Sequence, residues 1–183
     1  FVARLASVAS RLTVAGDVDE PDIGPLQNEA QLKRVESLVQ DALAAGAQLV
    51  VGGNSTGHGY GYRPTILDQC THEMDVVREE TFGPVLAVIR VNQAVDAIRL
   101  VNGVDYGLNG SVWTRNLQLG EAVARQLEVG IALVNNHSFP GVIPQVPWTG
   151  VKGTGTGIAA SRHSYGSYVR RRTIVVDKSK KPE

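Results

Sequence analysis

The chain has 183 residues, of which 43% are hydrophobic and 20% charged, which is ordinary usage for a globular protein with a packed core. Its formal net charge of zero gives no overall field that would favour nucleic acid or an acidic surface as a partner. A single cysteine, Cys70, excludes an internal disulfide and favours a reducing compartment such as the cytoplasm, and no apolar run reaches the ~20 residues of a membrane span.

The first half of the chain predicts helices and short strands separated by loops. An apolar stripe through Leu5, Val8 and Leu12 predicts the first helix, and the Gly-, Asp- and Pro-containing stretch 16–25 predicts a loop. A long helix follows, with Asn28 as its N-cap and Gly46 as its stop. Residues 49–51 predict a short buried strand, residues 54–61 a loop, and residues 65–67 and 85–89 two further strands.

The second half continues this alternation. The pattern predicts a helix around Ile98, a strand at 110–114, a helix around Val123, a strand at 131–134, a long loop at 135–157 and a last strand at 168–177. Strands that alternate with helices predict an α/β fold, with a largely parallel sheet and helices on both of its faces. The end of the chain, 168–183, is rich in Arg and Lys, and we interpret it as a solvated tail, not a nucleic-acid arm.

The segment Glu79-Glu80-Thr81-Phe82-Gly83-Pro84-Val85 carries the residues best suited to chemistry. Adjacent side chains on an extended segment face opposite ways, so one carboxylate can face a pocket while the other is solvated. An ionised carboxylate can accept hydrogen bonds from both hydroxyls of a ribose diol, and an aromatic ring two residues later would lie on the same side. The alternative is a strand entry with two surface acids and a core phenylalanine.

Five segments, in the right order, resemble signatures of the NAD(P)-dependent aldehyde dehydrogenase family. Glu79 to Val85 resembles Glu-Glu-x-Phe-Gly-Pro-Val, Tyr106 to Arg115 resembles the Tyr-Gly-Leu segment and the strand after it, and Gly130 to Asn135 resembles Gly-x-x-x-Val-Asn. Pro147 to Gly157 is similar to Pro-Phe-Gly-Gly-x-Lys-x-Ser-Gly-x-Gly, and Gly24-Pro25-Leu26 with Gln31 also fits. The resemblance covers nearly the whole chain and identifies it as similar to the C-terminal part of that family's catalytic domain.

The resemblance implies a role for a few residues. Glu80 matches the glutamate that holds the nicotinamide ribose of NAD or NADP, Phe82 matches the phenylalanine near the nicotinamide, and Gln31 falls where the family places a residue near the cofactor's ribose. In the parent enzyme a cysteine thiolate attacks the aldehyde, hydride passes to the nicotinamide, and a thioester is hydrolysed. The family's catalytic cysteine, general-base glutamate, oxyanion-hole asparagine and dinucleotide-binding domain all precede this stretch. We therefore expect the chain by itself to be inactive, with no catalytic residue in it.

Two other motifs favour a structural interpretation. Cys70 lies at a strand end next to Asp68, not at a helix N-terminus or beside a cation that would lower the pKa of its thiol, and with His72 two residues on it still does not match the family's cysteine motif. Gly153-Thr154-Gly155-Thr156-Gly157 has the wrong spacing and context for a dinucleotide fingerprint and predicts a backbone turn. The histidines and acids show no metal-ligand spacing.

The segment 136–146 corresponds to the family's substrate entrance and is about two residues longer than in common members. We expect Phe139, Val142, Ile143 and Trp148 around the aldehyde's tail, although Val142 and Ile143 could instead pack the loop. No arginine or lysine lies between Asn135 and Pro147, so the segment offers no anchor for a carboxylate-bearing aldehyde.

The family resemblance also implies an organisation and a partner. Residues 1–167 would form part of the catalytic domain, and 168–183 would form an oligomerisation strand with a basic tail that joins a homo-oligomer. Two rival interpretations stay open: a non-hydrolysing member of the same superfamily, and a non-catalytic truncated paralogue that acts as an interaction module.

Overall fold

A computed structural model describes residues 1–137 and 143–179, and its contacts divide the chain into two units, Phe1–Leu100 and Val101–Glu183. In the first unit the elements are α1 (Val2–Ala9), α2 (Glu29–Ala44), β1 (Gln48–Val51), β2 (Thr65–Asp68), α3 (Asp75–Arg78) and β3 (Val85–Ala87). Helix α4 (Ala94–Asn102) runs across the boundary. The second unit contains β4 (Tyr106–Gly107), β5 (Asn109–Val112), α5 (Leu117–Ala124), β6 (Ile131–Val134), β7 (Val151–Lys152), a 3₁₀ turn (Arg162–Ser164) and α6 (Tyr165–Tyr168).

Helix α2 begins and ends where its sequence predicts. The Asn28 side chain accepts a hydrogen bond from the Gln31 amide at 2.9 Å, which satisfies one of the free donors of the first turn. Gly46 follows the last turn with φ +100°, a left-handed conformation that glycine adopts without steric cost. The helix buries Val35 and Val39 in the core of the first unit.

Strand β2 lies at the centre of the three-stranded sheet β1-β2-β3, and all four of its residues are buried. It pairs antiparallel with β1 and parallel with β3, with Thr65 opposite Val85. The predicted strand at 49–51 is present, but the prediction that it is buried is wrong, since Leu49 and Val50 are exposed. Within the described residues β1 is an edge strand, with a hydrogen-bonded neighbour on one side only.

The α/β class is confirmed, whereas the single, largely parallel sheet is not. The described residues form three small sheets, in which β2–β3 and β5–β6 are parallel and β1–β2 and β4–β7 are antiparallel. The reason lies in the connections. Helices α3 and α5 cross over between the parallel partners, while the loop 52–64 between β1 and β2 contains no helix and lets the chain turn straight back.

The strand predicted at 168–177 is also not found. Tyr165–Tyr168 forms a short helix, and residues 169–178 have no hydrogen-bonded strand partner within the described part of the chain. A β-strand is defined by its ladder to a neighbour, and sequence propensity for extended structure cannot supply that neighbour. None of the described helices is long and apolar enough to cross a membrane.

Cys70 belongs to the core of the first unit. Its Sγ donates to the Leu67 carbonyl oxygen at 3.7 Å, and burial raises the pKa of the thiol, with the Asp68 carboxylate adding to the rise. Cys70 is therefore a buried core residue with a raised thiol pKa, whereas a nucleophilic cysteine needs a lowered one, and this supports the structural interpretation of the thiol.

We expect Leu67→Ala to lower the free energy of unfolding by about 2–5 kcal/mol, because the side chain is fully buried between the sheet and α2 and its removal leaves a cavity. Leu86→Ala on the adjacent strand is the matched control, since Leu86 is 53% exposed and its truncation should cost less than about 1 kcal/mol. Urea titration followed by circular dichroism measures both. Equal losses would contradict the placement of the core.

Candidate functional site

The segment Glu79–Val85 connects a helix to a strand. Glu79 caps α3, and its amide donates to the Asp75 carbonyl oxygen at 2.8 Å while its own backbone is extended. The chain then reaches β3 at Val85, where the Thr65 amide on β2 donates to the Pro84 carbonyl oxygen at 2.8 Å. Both ends of the segment are thus fixed by backbone hydrogen bonds.

The two adjacent carboxylates have different surroundings, as the sequence predicts for neighbours on an extended segment. Glu79 forms an ion pair with the Arg34 guanidinium of α2, and both side chains are about half exposed. Glu80 is exposed and makes no hydrogen bond or ion pair with any residue that the structure describes. The free acceptor is therefore Glu80.

Phe82 departs from the extended geometry that the sequence predicts. Its backbone has φ +44°, in the left-handed region that bulky residues rarely occupy, and the residue is 75% exposed. The alternative of a core phenylalanine is therefore wrong. The prediction that residues 80 and 82 lie on one side of an extended segment required strict alternation of side chains, which ends at a left-handed residue.

Gln31 lies beside the segment, but its amide group contacts the backbone. Its Nε2 donates to the carbonyl oxygens of Thr81 at 2.7 Å and Phe82 at 3.3 Å. The family resemblance brings Gln31 near a cofactor ribose, and that role stays a prediction. Arg34 could not be identified from the sequence, because its contact with Glu79 joins residues 45 positions apart in the chain.

The residues predicted to line a substrate entrance belong to the part of the chain after Val101. Phe139 and Val142 lie outside the described residues. Ile143 is exposed, and Trp148 is paired with Ala159 through two backbone hydrogen bonds of 3.3 and 2.9 Å. An open, mostly apolar groove beside Trp148 is completed by Leu108, Thr149, Gly150, Thr154, Gly155, Gly157, Ile158 and Ala159.

A polar group at the carboxyl ends of the parallel strands β5 and β6 was not singled out from the sequence. Ser111 Oγ and His137 Nδ1 lie 2.8 Å apart. Asn135, with φ +52°, accepts from the Thr114 amide and donates to the Thr114 carbonyl oxygen, both at 2.8 Å. Ligands of open α/β sheets bind at this edge of parallel strands, which is the signal that could have drawn attention to these residues.

The glycine-rich motif, the histidines and the acids show no dinucleotide-fingerprint or metal site among the described residues. Gly153 to Gly157 forms a turn after β7, with Gly155 at φ +90° and no helix directly following, so the dinucleotide fingerprint is excluded there. Within the described ranges, no group of three His, Cys, Asp or Glu side chains could hold a metal ion.

Comparison with known proteins identifies relatives of this chain. The family model described as "Aldehyde dehydrogenase family" matches residues 1–174. Lactaldehyde dehydrogenase of Escherichia coli (strain K12) is 35% identical over 177 residues, which cover 95% of this chain and 36% of that protein. NADP-dependent glyceraldehyde-3-phosphate dehydrogenase of Streptococcus equinus is 35% identical over 180 residues, which cover 98% of this chain and 37% of that protein.

A solved structure shows the same fold. The crystal structure of Mycobacterium tuberculosis aldehyde dehydrogenase complexed with NAD+ superposes with a TM-score of 0.85 at 30% identity, covering 99% of this chain and 38% of that one. The chain thus spans a little over a third of the length of the relatives it matches. Because the family model matches residues 1–174 of the 183 residues, the chain belongs to the aldehyde dehydrogenase family.

Proposed function

We propose that this chain is part of an enzyme that oxidises an aldehyde to a carboxylic acid with NAD or NADP, and that it supplies the carboxylate that holds the nicotinamide ribose. One observation carries the proposal: of two adjacent carboxylates, Glu79 is bound to Arg34 while Glu80 is exposed without a partner among the described residues. An ionised carboxylate has room for two hydroxyl donors, which matches a ribose diol.

The residues present fit such a cofactor. Glu80 offers acceptors that no described side chain occupies, and the exposed ring of Phe82 offers an apolar face on which a flat ring can rest. NAD or NADP, when bound, supplies the acceptor for hydride. The contribution of this chain is orientation, because a misplaced reactant loses rate steeply, by about 10²-fold for an ångström.

For the aldehyde, we propose that the groove beside Trp148 lies against the substrate's tail. Leu108 and Ile158 also line it, which favours an apolar or uncharged tail. Ile143 is proposed as a further contact, and the resemblance adds Phe139 and Val142. The segment between Asn135 and Pro147 contains no arginine or lysine, which also favours a tail without a carboxylate.

We propose that the nucleophile comes from outside these 183 residues. The only cysteine of the chain, Cys70, is buried, and its thiol has a raised pKa. Thioester chemistry needs an accessible thiolate, so the chain alone would not oxidise aldehydes.

A chimera tests the role of Glu80. The 183 residues replace the matching segment of the Escherichia coli lactaldehyde dehydrogenase, and hydride transfer and the cofactor Kd are measured for Glu80→Gln and Glu79→Gln. We expect Glu80→Gln to slow hydride transfer by about tenfold or more while the Kd changes little, because a displaced nicotinamide loses rate before it loses affinity.

Glu79→Gln is the matched control, since it changes a neighbouring carboxylate by the same single atom. Its amide oxygen can still accept from Arg34, so its effect on hydride transfer should be the smaller of the two. A larger effect of Glu79→Gln would overturn the assignment of Glu80.

We further propose that residues 169–178 pair with a second copy of the chain. The three consecutive residues Ile174, Val175 and Val176 are exposed, and this stretch has no strand partner within the described residues. An extended apolar segment with free backbone groups is a template for pairing with another chain. Three arginines, Arg170 to Arg172, oppose that pairing by charge repulsion.

Sedimentation or light scattering across a salt series measures this association. We expect the dimer or larger species to increase with salt, because the screening length shrinks from ~30 Å at 0.01 M to ~8 Å at 0.15 M and the repulsion weakens. Val175→Lys and removal of 168–183 should both abolish the trend. A strict monomer at every salt concentration would contradict the proposed pairing.

A further inference from the structure

We infer that Gln31 and Arg34 of α2 are positioning residues that hold the Glu79–Gly83 segment in one conformation before any cofactor binds. The inference rests on the proposed function, since it explains how Glu80 and Phe82 are kept exposed for a ligand. Neither residue needs to touch substrate for this role. Their partners are the Glu79 carboxylate and the backbone carbonyls of Thr81 and Phe82.

Arg34 determines which of the two carboxylates is free. Gln31 and Arg34 are three residues apart on α2 and therefore lie on one face of the helix, towards the segment. The Arg34 guanidinium is bound to Glu79, so this carboxylate is not available as a competing acceptor next to Glu80. A half-exposed ion pair adds little to global stability, so its effect is on local geometry.

Gln31 fixes the backbone on the other side of Glu80. Its side-chain amide donates to two successive carbonyl oxygens, Thr81 at 2.7 Å and Phe82 at 3.3 Å. Two carbonyls that share one donor must both turn toward α2. Glu80 therefore lies between two anchored points, the ion pair at Glu79 and the Gln31 hydrogen bonds at Thr81 and Phe82.

Phe82 shows that this restraint acts on the conformation. A phenylalanine at φ +44° is rare, and such backbone persists only where the surroundings over-determine it. The next residue, Gly83, packs so closely on α2 that an added Cβ would lie 2.8 Å from Val35 Cγ2. The carbonyl hydrogen bonds of Gln31 and this close approach together hold the left-handed turn.

Without these contacts the segment is free to return to a more common backbone conformation. Phe82 would then move to negative φ, and the directions of Glu80 and of the exposed ring would both change. Residues in the segment would sample several conformations, and a ligand would have to select one of them, which reduces its apparent affinity.

Nuclear magnetic resonance on the 183-residue chain tests the inference without a cofactor. The backbone and Cβ carbon shifts of Phe82 report its φ and ψ region, and ¹⁵N relaxation of Glu80 to Gly83 reports local order. We expect Gln31→Ala and Arg34→Ala to shift the Phe82 carbons toward extended values and to increase the mobility of the segment. The urea midpoint of the whole chain should stay nearly unchanged, which a merely structural role in the core would not allow.

Lys33→Ala is the matched control. Lys33 lies between the two positions in sequence, but its ammonium pairs with Glu29 on α2 itself at 2.6 Å and forms no hydrogen bond or ion pair with the segment. Arg34→Lys should restore part of the order, since an ammonium can still pair with Glu79 but lacks the guanidinium's fork. Glu79→Ala breaks the same ion pair from the other side and should reproduce the effect of Arg34→Ala.

Unchanged Phe82 shifts in Gln31→Ala, Arg34→Ala and Glu79→Ala would overturn the inference. A change of equal size in Lys33→Ala would overturn it too, because the effect would then belong to the helix as a whole. Failure of the proposed function gives a different pattern: these shifts respond as expected, but Glu80→Gln leaves hydride transfer in the chimera unaltered.

Discussion

The packing of α2 against the β1-β2-β3 sheet is the contact on which the candidate cofactor site depends. One face of the helix buries Val35 and Val39 in the core, which fixes where the helix lies. The same helix then carries Gln31 and Arg34 to the segment that leads into β3. Burial of apolar side chains thus sets the position of two polar ones, and these in turn restrain a backbone that would otherwise be free.

This arrangement explains why two adjacent carboxylates can serve different purposes. On a flexible chain, Glu79 and Glu80 would be equivalent acceptors that exchange places. Once Arg34 binds Glu79, only Glu80 is available, and the local charge around it is reduced by the neighbouring ion pair. The ion pair thus leaves Glu80 as the one carboxylate of the two that is available for the proposed recognition of a diol.

Much of the local structure could be predicted from the sequence, because it depends on neighbours in the chain. The limits of α2 follow from Asn28 and Gly46, and the longer helices and the strands β1, β2, β3, β5 and β6 follow from apolar periodicity. The short elements α3, β4, β7 and α6 were not predicted. The motif at Glu79–Val85 also predicts the candidate site, and the family resemblance favours that site over the alternative of surface acids.

The features that were wrong, missing or not confirmed depend on residues far apart in the chain or on a partner chain. The strand at 168–177 has suitable residues but no partner among the described ones, and the exposure of β1 depends on its place at a sheet edge. The left-handed backbone of Phe82 and the ion pair between Arg34 and Glu79 arise from tertiary packing, which local secondary-structure propensity does not report. Periodicity identifies an α/β chain, but the direction of each strand is decided by its connection.

The most direct test of this account is a crystal structure of a longer protein that carries this chain, with NAD or NADP bound. The account predicts that the Glu80 carboxylate oxygens lie within about 2.5–3.0 Å of the hydroxyl oxygens of the nicotinamide ribose. Glu79 should remain on Arg34, and Phe82 should remain left-handed beside the nicotinamide. A ribose held by Glu79, with Glu80 directed to solvent, would contradict the account.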